Sequence, residues 1–146
     1  MNKDRIDLLK KDYIQGFPAY CGFEVLQIDE GFFKARFMVR PEHKQQDGYV
    51  HAGVLATLAD HTAGYSAYTI VPHNIRILTI EFKINYFKPA IGNQVICKSK
   101  VINPGKNIIV AESELYDLVD KKERMISKAT VTLAAVSSKT PFNNIT

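Results

Sequence analysis

Gln45-Gln46-Asp47-Gly48-Tyr49-Val50-His51-Ala52-Gly53-Val54-Leu55-Ala56-Thr57-Leu58-Ala59-Asp60 leads into the longest helix-forming segment of the 146-residue chain. Small and apolar residues continue to Val71 and Pro72-His73-Asn74 ends the run, so a helix over about 51–71 is predicted. Leu55, Leu58, Thr62 and Tyr65 form one stripe of it; Gly53, Ala56, Asp60, Ala63 or Gly64, and Ala67 form another, of small residues around one carboxylate. With no charge besides Asp60, this helix is expected to be buried almost all round. His51 and Asp60 stand nine residues apart, about 900° of rotation and roughly 13 Å along the axis. One copy of the helix cannot easily bring them together. Two copies related by a twofold axis can, and closed symmetric pairing is the commonest way soluble chains associate. The spacing points to a site shared between subunits.

Outward from the helix, the pattern is that of strands. Upstream, residues 22–39 read as a hairpin reversing at Asp29-Glu30-Gly31, with Ala35, Phe37 and Val39 alternating against Lys34, Arg36 and Met38. Downstream, four segments rich in β-branched and aromatic residues lie near 77–88, 93–103, 107–118 and 123–136, separated by turn residues. In the first of them Ile80, Phe82, Ile84 and Tyr86 should face the helix, and Thr79, Glu81, Lys83 and Asn85 should face away. A short amphipathic helix is predicted over about 4–16 from Ile6, Leu9, Tyr13 and Phe17, and the polar tail 137–146 is expected to be loose. The order predicts an α+β fold, a long helix on a curved antiparallel sheet of five to six strands, whose open edges dimerisation can pair.

The length fits one domain over 1–146. A net charge of +4 favours anionic partners without choosing among them. No apolar run is long enough to span a bilayer and the N-terminus has no leader-like core, so no membrane role and a cytoplasmic setting are expected. Cys21 and Cys97 lack metal-type spacing, and no metal site is expected. Basic residues are dispersed, without an aromatic–basic strand motif, which argues against nucleic acid.

The segment Gly48-Tyr49-Val50-His51-Ala52-Gly53, followed by a helix bearing Asp60, resembles the glycine, His-Gly-Gly and helical-acid pattern of the hotdog-fold acyl-CoA thioesterases of the phenylacetate-pathway type, within the 4-hydroxybenzoyl-CoA thioesterase superfamily. The strand Thr79-Ile80-Glu81-Phe82-Lys83-Ile84-Asn85-Tyr86-Phe87-Lys88-Pro89-Ala90 is similar to the one that follows in that family, and the resemblance covers about 17–136. It implies a hotdog fold and hydrolysis of an acyl-CoA without metal or redox cofactor. It also implies roles: Asp60 as general base or nucleophile, the Ala52 backbone N–H as oxyanion hole, His51 shaping that corner, Gln45 on the thioester carbonyl or the water, and Thr79 holding the water. Gly53, Lys106, Arg76 and Lys88 are the expected substrate contacts, with Lys83 adding to the same field. Ala52 stands where the family has Gly, which keeps the N–H but adds a methyl group where the thioester approaches. Relatives place Gln45 and Ala52 on one subunit and Asp60 and Thr79 on its partner, so a homodimer is implied, with pairing of dimers into a homotetramer.

The acyl group is expected to be small and aromatic or of medium chain length, with Tyr65, Tyr68 and Phe82 as candidate lining. Two other functions fit the same resemblance: a dehydratase or hydratase of 3-hydroxyacyl or enoyl thioesters, and a non-catalytic acyl-CoA-binding protein. The Pro-rich segment that follows the His in such dehydratases is absent.

Overall fold

A computed structural model describes residues 1–139. The elements are α1 (Lys3–Tyr13), α2 (Phe17–Tyr20), β1 (Glu24–Asp29), β2 (Phe32–Met38), a 3-10 turn (Pro41–His43), α3 (Ala52–Tyr68), β3 (Ile75–Tyr86), β4 (Gln94–Pro104), β5 (Ile108–Val119) and β6 (Lys122–Ser137). The six strands form one antiparallel sheet in the order β1-β2-β4-β5-β6-β3, leaving β1 and β3 as its edges. The α+β expectation holds. Of the tail expected to be loose over 137–146, Ser137 is the last residue of β6, and residues 140–146 lie outside the described residues.

Helix α3 lies on one face of the sheet because its aliphatic stripe matches the inward alternation of the strands. Leu58, Ala59, Thr62, Ala63, Ser66 and Ala67 are fully buried, together with Phe33, Ala35 and Phe37 of β2, Leu115 of β5 and Val131 and Leu133 of β6. Burying each large aliphatic side chain contributes roughly 1.5–3 kcal/mol. Buried hydroxyls find partners here: Ser113 donates to the Ala59 carbonyl at 2.7 Å, Ser99 and Ser113 bond at 2.6 Å, and Tyr13 and Thr62 bond at 2.8 Å.

Two expectations need correction. The helix is not buried all round: Gly53 is exposed, and Ala56, Asp60 and Gly64 are only half-buried, so this part of the small-residue stripe turns from the sheet while Ala63 and Ala67 are fully buried. The alternation in β3 also breaks. Ile80 is the extra residue of a β-bulge between the Thr79–Leu133 and Glu81–Thr132 pairs, and it is 55 % exposed. Phe82 and Ile84 do pack toward the core, but upstream of the bulge the buried residue is Ile77, and Thr79, which shares its parity, is exposed yet bonds Asp60 of the helix. One inserted residue thus turns Thr79 toward the helix.

Candidate active site

The corner where α3 begins is held from four directions. His51 is the N-cap, in extended conformation (φ −62°, ψ 135°), and its Nδ1 accepts from the Gly53 N–H at 2.8 Å. A Cβ on Gly53 would lie 2.9 Å from that nitrogen, so only glycine lets the imidazole sit there. The His51 N–H donates to the His43 carbonyl at 2.8 Å, and the Val50 N–H to the Ala90 carbonyl at 3.2 Å. Tyr86 donates its hydroxyl to the Ala52 carbonyl at 3.0 Å; burial raises that hydroxyl above its usual range and keeps it a donor. Ala52, the first helical residue, is left with an N–H that donates to no described group. Orphan donors and the helix dipole favour negative charge at this point. A cleft of about 430 Å³ opens there, lined by Gln45, Tyr49, His51, Ala52, Tyr86 and Lys88 among others.

Gln45 reaches this cleft with one end already engaged. Its Oε1 accepts from the Asp47 N–H at 2.5 Å and the Tyr49 N–H at 3.2 Å, closing the turn that carries Gly48 at φ +85°. Its side-chain NH2 is the end left to donate. Asp60 lies two turns further along α3 and does not line the cleft. Thr79 donates to Asp60 Oδ1 at 2.6 Å, a contact made possible by the bulge at Ile80. Oδ2 bonds no described group. Within one chain the structure therefore keeps the orphan N–H and the carboxylate apart, as the helical spacing requires.

The expected substrate contacts are scattered. Lys88 lines the cleft; Arg76 lies near the C-terminal end of α3, bonded to the Ser137 carbonyl at 3.3 Å; Lys106 lines a separate hollow with Glu30, Pro104 and Ile109. Lys83 lines none of these cavities, and the Gly53 N–H is taken by His51. Among the described residues, no three His, Cys, Asp or Glu side chains cluster so as to hold a metal ion, and no helix is long and apolar enough to cross a membrane.

The family model of the thioesterase superfamily matches residues 47–123, which include the cleft, Asp60 and Thr79. The chain belongs to the thioesterase superfamily. It is a thioester hydrolase of hotdog fold. A thioesterase family protein from Silicibacter pomeroyi has the same architecture, with a TM-score of 0.88 and 28% identity, covering 91% of this chain and 98% of that one. The 1,4-dihydroxy-2-naphthoyl-CoA hydrolase of Listeria monocytogenes is 25% identical over 73% of this chain and 86% of its own. The medium/long-chain acyl-CoA thioesterase YigI of Salmonella typhimurium is 24% identical over 82% and 85%.

Behind the cleft of this hotdog domain sits an ion pair that the sequence pattern did not single out. Asp117 Oδ2 accepts from the Ile91 and Gly92 N–H groups, each at 2.9 Å, and from Arg124 Nη2 at 2.8 Å, while Arg124 also reaches the Pro89 carbonyl at 3.2 Å. The clamp fixes the loop that offers the Ala90 carbonyl to Val50 and so holds the His51–Ala52 corner. A signal was available: Asp117 falls at an inward position of its strand, where a carboxylate needs partners. Burial pushes its pKa up, but Arg124 and the two N–H groups outweigh that and leave it lowered. A depressed carboxylate stabilises the fold above its unfolded pKa, about 3.9, and loses that contribution as pH falls through the folded value. Asp117→Asn should therefore melt earlier than wild type at pH 7, by about 1–3 kcal/mol of lost stability. Thermal melts at stepped pH check this: the gap between the two proteins should narrow below about pH 4.

Proposed function

We propose that the chain hydrolyses an acyl-CoA thioester to CoA thiol and a free acid at a site built by two copies of itself. The observation that carries this reading is the separation just described, with an unpaired Ala52 N–H at one point of α3 and the Thr79-bound Asp60 carboxylate roughly two turns away. A twofold-related partner laying its α3 beside the first supplies the missing half of each site. The exposed stretch of edge strand β3 around Thr79 to Tyr86, next to Asp60, supports that mode of pairing.

In this mechanism the thioester carbonyl oxygen accepts from the Ala52 N–H, which meets the charge that develops in the tetrahedral intermediate. The Gln45 NH2 assists from the cleft wall. Water, held by Asp60 of the partner chain and oriented beside Thr79, gives its proton to the carboxylate as its oxygen bonds to the carbonyl carbon. The carbon–sulfur bond then breaks, and the thiolate takes the proton back. Lys88 and the cleft favour the anionic CoA moiety. The acyl group is small and aromatic or of medium length, in line with the chemistry named for the Listeria and Salmonella relatives. The setting is cytoplasmic, where CoA esters are made.

A panel of aryl- and alkanoyl-CoA esters, assayed for thiol release with a thiol-reactive dye, tests this directly. Release of one thiol per acid formed is the expected result, with no change in enoyl absorbance when crotonyl-CoA is supplied. Binding without thiol release, or hydration of crotonyl-CoA, would overturn it.

A further inference from the structure

Among the described residues from 41 to 49, the stretch that carries Gln45 to the cleft, His43 alone is buried, at 5 % exposure. Its imidazole reaches back and joins two other parts of the chain. Nδ1 faces the Arg40 N–H at 2.9 Å, so that nitrogen accepts. Nε2 therefore carries the ring proton and donates to the Cys21 carbonyl at 2.7 Å, at the end of α2. The ring packs on Phe37 of β2, with centroids 4.4 Å apart. Both nitrogens are satisfied only in this neutral form. A second proton, on Nδ1, would oppose the Arg40 N–H, beside a guanidinium that stands 3.5 Å from Nε2. Burial lowers the pKa of the ring, and Arg40 adds to that against the Cys21 carbonyl and Glu42, which favour the charged form.

What the ring anchors is a short two-stranded ladder. The His43 carbonyl accepts from the His51 N–H at 2.8 Å, Lys44 bridges Val50, and the Gln45 N–H donates to the Tyr49 carbonyl at 2.8 Å. One side of the ladder delivers Gln45, whose side-chain NH2 is the end left to donate. The other side runs through Val50 and His51 into Ala52, the residue with the orphan N–H. Both donors assigned to the thioester carbonyl thus hang on a ladder that the His43 ring ties to the end of α2 and to the segment leaving β2.

We propose that His43 is a positioning residue for the hydrolysis, its imidazole holding the 43–51 ladder so that the Ala52 N–H and the Gln45 NH2 both meet the oxygen of the tetrahedral intermediate. The proposal rests on the thioesterase reading and on the oxyanion role of Ala52, and it deepens both. His43 does not line the cleft and acts only through the groups it holds. A displacement of about 1 Å at such a donor costs up to about 10²-fold in rate. The contacts that bind the CoA moiety, Lys88 and the cleft walls, lie outside the ladder's control and stay in place.

Thiol release from benzoyl-CoA and octanoyl-CoA by three variants tests this, at a temperature where circular dichroism shows each protein folded. His43→Phe keeps a ring against Phe37 but supplies neither bond. His43→Asn keeps an acceptor in place of Nδ1, and His43→Gln keeps a donor in place of Nε2. In His43→Phe kcat is expected to fall by about 10- to 100-fold, with KM changed by less than about twofold. The Asn and Gln variants should fall between it and the wild type. Added to Ala52→Pro, His43→Phe should lower kcat by less than about threefold more, because the main donor it positions is already gone. Wild-type kcat in the variants, a loss confined to KM, or losses that multiply in full with Ala52→Pro would overturn the proposal and leave the thioesterase reading intact. If His43→Phe fails to fold, the Asn and Gln variants decide alone: lowered kcat at unchanged KM supports the proposal, and unchanged kcat overturns it. Failure of the wild type to release thiol from any ester would overturn both readings.

Discussion

Asp60→Asn is expected to lower kcat by about 10²–10⁴-fold, the range typical of removing a positioned general base. The substitution keeps shape and volume, and Asn Oδ1 still accepts from Thr79, whose hydroxyl lies 2.6 Å from Asp60 Oδ1. What disappears is the ability to take the proton of the attacking water. Asp60 is half-buried and makes no ion pair in the single chain, so thermal stability should change little. KM should change little too, because the carboxylate acts on the water rather than on the bound thioester. Turnover equal to wild type would remove Asp60 from the mechanism.

Ala52→Pro is expected to cost a similar factor, about 10²–10³ in kcat, for a different reason: proline deletes the one N–H proposed to meet the oxyanion. The position makes the experiment clean. Ala52 is the first residue of α3, where proline is favoured because its missing N–H has no helical acceptor, and His51 already has the ψ of 135° that a following proline requires. Helix and fold should therefore survive, which circular dichroism and a melting curve would verify. A folded Ala52→Pro protein with wild-type turnover would place the oxyanion hole elsewhere.

How far the fold was legible depended on whether local pattern or long-range pairing decides each feature. The hairpin Glu24–Met38 and the long helix follow from alternation and from the capping position of His51, all local in sequence, although the helix ends at Tyr68, short of the Val71 that a stop at Pro72 predicts. The bulge at Ile80 does not, because only the partner strand β6 reveals that Glu81 pairs with Thr132 and that one residue has been skipped. The same bulge decides that Thr79 meets Asp60, so a contact implied by resemblance has a physical cause that period-two reasoning places on the wrong face. The small-residue stripe of α3 misled in the other direction: Gly53 is exposed and Ala56 and Gly64 are only half-buried in one chain, yet small residues are also what allows a second helix to approach. The Tyr86 hydroxyl bond to the Ala52 carbonyl and the clamp on the Pro89–Gly92 loop were missed because each joins elements far apart in sequence. Lys106, Arg76 and Lys88 show the limit of reading charge: three cations that composition allows in one field lie in three different places.

The claim that two chains share each site is tested most directly by mixing the two damaged proteins. Asp60→Asn and Ala52→Pro are each nearly inactive alone. When they are unfolded together and refolded, about half of the dimers are mixed, and each mixed dimer joins an intact Asp60 from one chain to an intact Ala52 from the other at one of its two sites. Thiol release from the mixture should then recover to roughly a quarter of the wild-type rate. A mixture no more active than its separate components would contradict a shared site.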